Sequence, residues 1–174
     1  MLQGMPSDEV DEIVAAWRRE RPDLDVEPLQ VLSRIARLAA VLDERRADAF
    51  VDHGLQGYEF DVLSVLRRSG VPFEQTAGEL ATLTHVTSGT MTSRLDRLAS
   101  RGLVTRHADP KDGRLVRVRL TDAGRERVDA AFAELLGSEQ ALLGNLDVGS
   151  QAALADALRV LLNMAKAGHN QPVA

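Results

Sequence analysis

Between Thr84 and Leu120 the chain gathers side chains suited to a polyanion. The run Thr87-Ser88-Gly89-Thr90-Met91-Thr92-Ser93-Arg94-Leu95-Asp96-Arg97 offers hydroxyls from Thr87, Ser88, Thr90, Thr92 and Ser93, then guanidiniums from Arg94 and Arg97. Short hydroxyl side chains let a helix lie deep in a groove. They can bond phosphate oxygens or base edges, and threonine methyls can meet the methyl of thymine. Arg94 and Arg97 are long enough for a bidentate pair with guanine or for phosphate. Further on, Asp109-Pro110-Lys111-Asp112-Gly113-Arg114 is a strong turn signal with a basic tip, where Asp112 can orient the Arg114 guanidinium. An arginine at such a tip suits the minor groove, whose negative potential rises where it narrows. The hydroxyls alone could merely cap and solubilise a helix; the basic turn that follows argues for duplex DNA. For Lys111, Arg117 and Arg119, solvated turn and strand charges are as good an account as phosphate contact.

The charge distribution agrees. The chain has a net charge of −5, yet from Thr84 to Leu120 eight Arg/Lys stand against three Asp, a local +5 that leaves −10 for the rest. A basic island on an acidic body is the footprint of one DNA-facing surface. The chain has no Cys, which excludes disulfides, thiolate metal sites and thiol-based sensing. His53, His85, His107 and His169 lack metal-ligand spacing, and no Ser-His-Asp spacing or phosphate loop appears, so neither an enzyme nor a cofactor is expected. His85 and His107 flank basic segments and are expected to meet phosphate or solvent. With 174 residues, 44% of them hydrophobic, the chain can form one domain with helical extensions. No apolar run approaches the ~20 residues of a membrane span. The N-terminus MLQGMPSDEVDE lacks the order of a signal peptide, so a cytoplasmic location is expected.

Elements able to position these residues follow from periodicity and punctuation. Pro6 to Glu20 reads as a helix capped by Ser7, with Val10, Ile13, Val14 and Trp17 on one face; Arg21-Pro22 breaks it. Pro28 to Asp52 is a long helix striped by Leu29, Leu32, Ile35, Ala36, Ala39 and Leu42, ended by His53-Gly54-Leu55. Tyr58 to Arg68 follows, with Phe60, Val62, Leu63 and Leu66 apolar. Thr76 to Leu83 opens with Thr76 and Glu79 at capping-box spacing. Thr87 to Ser100 turns Met91, Leu95 and Leu98 inward and stops at Gly102. Leu103 to His107 and Leu115 to Leu120 read as strands, the second alternating Val116, Val118 and Leu120 with Arg117 and Arg119. Thr121 caps a helix to about Leu136, and Ser150 starts a last one to about Lys166, striped by Leu154, Leu158, Leu161 and Leu162. A frayed tail is expected from His169.

The segment HVTSGTMTSRLDRLASRGLVTRHADPKDGRLVRVRLTDAGR resembles the DNA-binding core of the MarR family of bacterial transcriptional regulators. It carries that family's hydroxyl-rich helix, then L-x-x-L-x-x-x-G-L-V-x-R, D-x-x-D-x-R and V-x-L-T-x-x-G. The likeness extends roughly from Pro28 to Lys166. It implies a mainly α fold with a small β-hairpin wing: a winged helix-turn-helix carrying N- and C-terminal dimerisation helices. The implied division is residues 1–54 for the N-terminal helices, 55–121 for the DNA reader and 122–174 for the C-terminal helices. The resemblance also implies an obligate homodimer on a pseudo-palindromic double-stranded operator. Gly113 stands where many relatives carry a second wing arginine, which implies a weaker wing.

Trp17, Asp61, Arg94 and Arg106, with the segment WRRERPDLD, are similar to the urate-responsive branch of that family, in which an equivalent Trp, Asp and two Arg form the effector site. The resemblance implies a small anionic, planar effector that stacks on Trp17, pairs with an arginine and repels Asp61. Taken singly, Trp17 could be a packing residue, Asp61 a complement to its helix N-terminus, and Arg94 a DNA contact only. Other readings are a MarR-type regulator of phenolic or lipophilic compounds, or a winged-helix protein-interaction module without a ligand.

Overall fold

A computed structural model describes residues 7–169, which contain seven helices and one small sheet. The chain divides into two compact units, one ending at Ala131 and the other beginning at Phe132.

In the first unit, α1 (Glu9–Glu20) packs on α2 (Pro28–Val51), burying Val10 and Val14. Arg34 on α2 reaches both Asp8 and Asp11, at 2.8 Å each, and Arg37 pairs with Glu9. Asp8, rather than Ser7, caps α1: its carboxylate accepts from the Val10 and Asp11 N–H groups, while Asp11 accepts from the Asp8 N–H. A carboxylate at this position completes a reciprocal pair that Ser7 cannot. α2 ends at a left-handed Gly54 (φ 62°), with Leu55 N–H donating to the Phe50 carbonyl. Phe50 then stacks on Phe60 of α3 (Gly57–Arg68), ring centres 4.1 Å apart.

The core of the unit is built from Val62, Leu63 and Leu66 of α3, Leu80 of α4 (Ala77–Leu83), and Met91, Leu95 and Leu98 of α5 (Ser88–Ser100), all essentially inaccessible. Val118 and Leu120, on the inward face of the hairpin, close it. The sheet has three antiparallel strands in the order β1-β3-β2: β1 (Glu74–Thr76), β2 (Val104–Ala108) and β3 (Val116–Leu120). β1 has no counterpart among the sequence expectations. It is too short for a period-two pattern to show, and it exists because β3 offers it an open edge, with Glu74 opposite Arg119 and Thr76 opposite Arg117.

Thr121 joins the sheet to α6 (Asp122–Leu143). Its hydroxyl donates to the Gly102 and Leu103 carbonyls and accepts from the Gly124 N–H. α6 crosses at Gly124 so closely that a Cβ there would lie 2.1 Å from the Leu103 carbonyl oxygen. The helix runs on through Gly137, past the end expected near Leu136; one interior glycine costs only about 1 kcal/mol.

In the second unit α7 spans Val148–His169, capped by Asp147, whose carboxylate accepts from the Ser150 N–H at 2.9 Å. It begins before Ser150 and remains helical through His169, where fraying was expected; residues 170–174, like residues 1–6 at the other end, lie outside the described part. Among the described residues no helix is long and apolar enough to cross a membrane.

Candidate nucleic-acid interface and effector site

α4 and α5 form the helix-turn-helix. Thr76 and Glu79 make the capping box that starts α4, with the Thr76 N–H donating to Glu79 at 2.8 Å and the Glu79 N–H to the Thr76 hydroxyl at 3.2 Å. The turn passes through His85 in the left-handed region (φ 55°), with its N–H on the Thr82 carbonyl and the Val86 N–H on that of Ala81. Thr87 caps α5, accepting from the Thr90 N–H at 3.2 Å. Met91, Leu95 and Leu98 anchor the helix inward, leaving Ser88, Thr90, Thr92, Ser93 and Arg97 exposed on its other sides. Two hydroxyls bond back to their own helix, Thr92 to the Ser88 carbonyl and Ser93 to that of Gly89. Such bonds hold the hydroxyls against the helix in the free protein while their lone pairs stay available. Gly102 (φ 68°) ends α5, its N–H donating to the Ala99 carbonyl and the Leu103 N–H to that of Leu98, and sends the chain into β2.

The wing is organised by Asp109, which is buried although it sits in a surface turn. Its carboxylate accepts from the Lys111 N–H (2.7 Å) and the Asp112 N–H (3.0 Å) and pairs with Arg117. These bonds, the Lys111 amide first, hold its carboxyl at about 2. At the tip, Arg114 forks onto Asp112 with both contacts at 3.0 Å, its side chain 90% exposed. An exposed pair of this kind adds little stability and chiefly orients the guanidinium.

Several cations of the basic window already have partners. Arg101 pairs with the buried Glu59 and donates to the Gly54 carbonyl, tying α5 to α3. Arg106 on β2 pairs with Asp96 on α5. Glu74, its side chain 8% exposed, meets Arg119 at 2.9 Å, His107 at 3.3 Å and Arg117 at 3.4 Å. Arg117 and Arg119 therefore brace the sheet, where solvated charges or phosphate contacts were expected. His107 likewise meets a carboxylate, where phosphate or solvent was expected. Glu74 was missed because it lies in a segment with no recognisable pattern.

Of the four effector candidates, two are brought together. Asp61 on α3 lies within electrostatic reach of Arg94 on α5. Desolvation raises the Asp61 carboxyl above its ordinary value, against the opposing pull of Arg94, then Arg46 and Arg68. The Arg94 guanidinium sits over the Tyr58 ring, 5.1 Å from its centre, and Arg97 donates to the Tyr58 hydroxyl at 3.5 Å. Tyr58 was not among the candidates; its position three residues before Asp61 on one helix was the available signal. Arg106 is held by Asp96, and Trp17 lies half-exposed in the last turn of α1. Among the described residues, no hydrogen bond or ring contact joins Trp17 to Asp61, Arg94 or Arg106.

The chain is similar to known proteins. The MarR family model matches residues 53–115. The HTH-type transcriptional regulator PecS of Dickeya dadantii is 36% identical over 135 residues, covering 78% of this chain and 81% of that protein. The HTH-type transcriptional repressor NicR of Pseudomonas putida is 30% identical over 144 residues, covering 80% and 89%. The solved structure of Bordetella bronchiseptica BpsR, whose DNA binding is described as regulated by 6-hydroxynicotinic acid, matches with a TM-score of 0.57 at 25% identity, over 74% of this chain and 98% of that one. With its winged helix and this relatedness, the chain belongs to the MarR family: it is a DNA-binding transcriptional regulator and not an enzyme.

Proposed function

We propose that this regulator is a homodimeric repressor that leaves a pseudo-palindromic operator when a small planar anion, of the urate or purine class, binds at Trp17, Asp61, Arg94 and Arg106. The observation that carries this reading is the position of Arg94. It belongs to the recognition helix, yet its guanidinium rests on Tyr58 and lies within electrostatic reach of Asp61, both on α3. An anion that recruits Arg94 pulls on the element that reads DNA. A coupling of ~1–3 kcal/mol, common in allostery, gives about 5- to 150-fold weaker operator binding. The repressor role is supported by the relative NicR, and the effector class by the planar carboxylate acting on BpsR.

The DNA contacts of this reading are Thr87, Ser88, Thr90, Thr92, Ser93, Arg94 and Arg97 in the major groove, with Lys111, Asp112 and Arg114 at the wing. Residues 55–121 read DNA; residues 1–54 and 122–174 dimerise, and α1 adds the effector-side Trp17. Dimerisation is supported by the large apolar side chains left exposed along α2 and α7, such as Val31 at 51%, Leu32 at 56%, Leu162 at 56% and Met164 at 67%. Monomers rarely leave long apolar faces open to water.

The test begins with a duplex selected by the wild-type protein from a random pool. Its binding is measured with and without urate, xanthine, hypoxanthine, 6-hydroxynicotinate and salicylate. Release by a planar anion that Trp17→Phe and Asp61→Ala both blunt is the expected outcome. Release only by salicylate, unaffected by either substitution, would refute the site; no release by any of them would refute the effector reading.

A further inference from the structure

We propose that Tyr58 is a positioning residue for DNA recognition: its ring seats Arg94 and its hydroxyl tethers Arg97, so one side chain outside the recognition helix orders both of that helix's arginines. Tyr58 is the only tyrosine in the chain and lies in the first turn of α3, partly exposed. Arg94 and Arg97 are three residues apart on α5, so both project from neighbouring turns of one face. The two contacts are of different kinds. A guanidinium 5.1 Å from the ring centre is within cation–π range, and ring–guanidinium stacking leaves the N–H donors at its edge free for DNA. The hydroxyl contact, at 3.5 Å, is long and tethers more loosely. The other arginines of the window lack this arrangement: Arg101, Arg106, Arg114, Arg117 and Arg119 pair with carboxylates, which compete with phosphate for the same charge. Arg94 and Arg97 instead have a neutral group as their contact partner, with Asp61 within electrostatic reach of Arg94 and Glu59 within reach of Arg97. A long side chain that is ordered before binding loses less rotamer freedom on binding, and each such side chain accounts for about two- to tenfold in affinity.

The inference rests on Arg94 and Arg97 being DNA contacts, and the experiment separates the two claims. Binding of the full-length protein to its selected duplex is measured for wild type, Tyr58→Phe, Tyr58→Leu, Arg94→Ala/Arg97→Ala, and the triple variant that adds Tyr58→Leu. Tyr58→Phe keeps the ring and should weaken binding about twofold; Tyr58→Leu loses both contacts and should weaken it about tenfold. In the Arg94→Ala/Arg97→Ala background Tyr58→Leu should change affinity less than twofold, which a merely structural role would not produce. 3-Fluorotyrosine incorporation gives a single ¹⁹F resonance from Tyr58, expected to shift on Arg94→Ala and on DNA binding. Full-strength binding by Tyr58→Leu, or an equal loss in the double-alanine background, overturns the positioning role. If Arg94→Ala/Arg97→Ala itself binds normally, the two arginines do not touch DNA and the positioning role falls with them.

Discussion

Glu74 and Arg119 face each other across the β1–β3 ladder, the carboxylate accepting from the Arg119 Nε at 2.9 Å. The same carboxylate also meets Arg117 and His107, so one acid from outside the basic window contacts two arginines and a histidine of the hairpin. Glu74→Gln should free Arg119 for phosphate, while Arg117 stays paired with Asp109. Non-specific DNA binding should then tighten, with the slope of log K against log salt steepening by about 1 for each additional phosphate neutralised. An unchanged slope would show that Arg119 cannot reach the backbone.

The wing tip is open to improvement. Gly113 does not adopt a positive φ, and a Cβ added there would meet nothing within 4 Å. Gly113→Arg should therefore fold normally and reach a phosphate or the minor groove, steepening the salt slope by about 1. Arg114→Ala should do the reverse, weakening binding across sequences and lowering the slope by about 1. Titrations at several salt concentrations measure both. Equal slopes for all three proteins would place the wing away from DNA.

The wing turn should be resistant to acid. Asp109 is held at about 2, below its ordinary 3.8, so the folded wing binds fewer protons than the unfolded chain. Its stabilising contribution is complete above the ordinary carboxylate range and is lost as pH falls from there towards about 2. Asp109→Ala should reproduce the acid form at neutral pH. The Lys111 and Asp112 amides, which donate to this carboxylate, should then exchange about tenfold faster or more, since each loses a charged hydrogen-bond acceptor. Protection equal to wild type would mean that the turn is held by other means.

Gly124 is required by packing rather than by backbone freedom. Gly124→Ala would drive a methyl to 2.1 Å from the Leu103 carbonyl and 2.9 Å from the Leu120 side chain. Overpacking against backbone should cost about 3 kcal/mol, read as a lower midpoint in denaturant. Gly137→Ala, in a helix interior where the added methyl meets nothing, should instead stabilise by up to about 1 kcal/mol.

What the sequence determined by itself was whatever depends on near neighbours. The Thr76–Glu79 capping box, the Thr87 cap, the left-handed stops at Gly54 and Gly102, the Asp109–Gly113 turn and the alternating strand after it all involve residues within five positions of one another. The helix-turn-helix and hairpin were legible for that reason, and so was the basic window. Tertiary structure decided how that charge is distributed. Glu59, Glu74 and Tyr58 come from outside the window and meet Arg101, Arg119 and Arg94, partners 42, 45 and 36 positions along the chain. The packing of α3 against α5 and of β1 against β3 creates these meetings, and periodicity records only the face each element buries. A local +5 read from composition thus became a few oriented cations, Arg94 and Arg97 on Tyr58 and Arg114 on Asp112, set among others already bound to carboxylates.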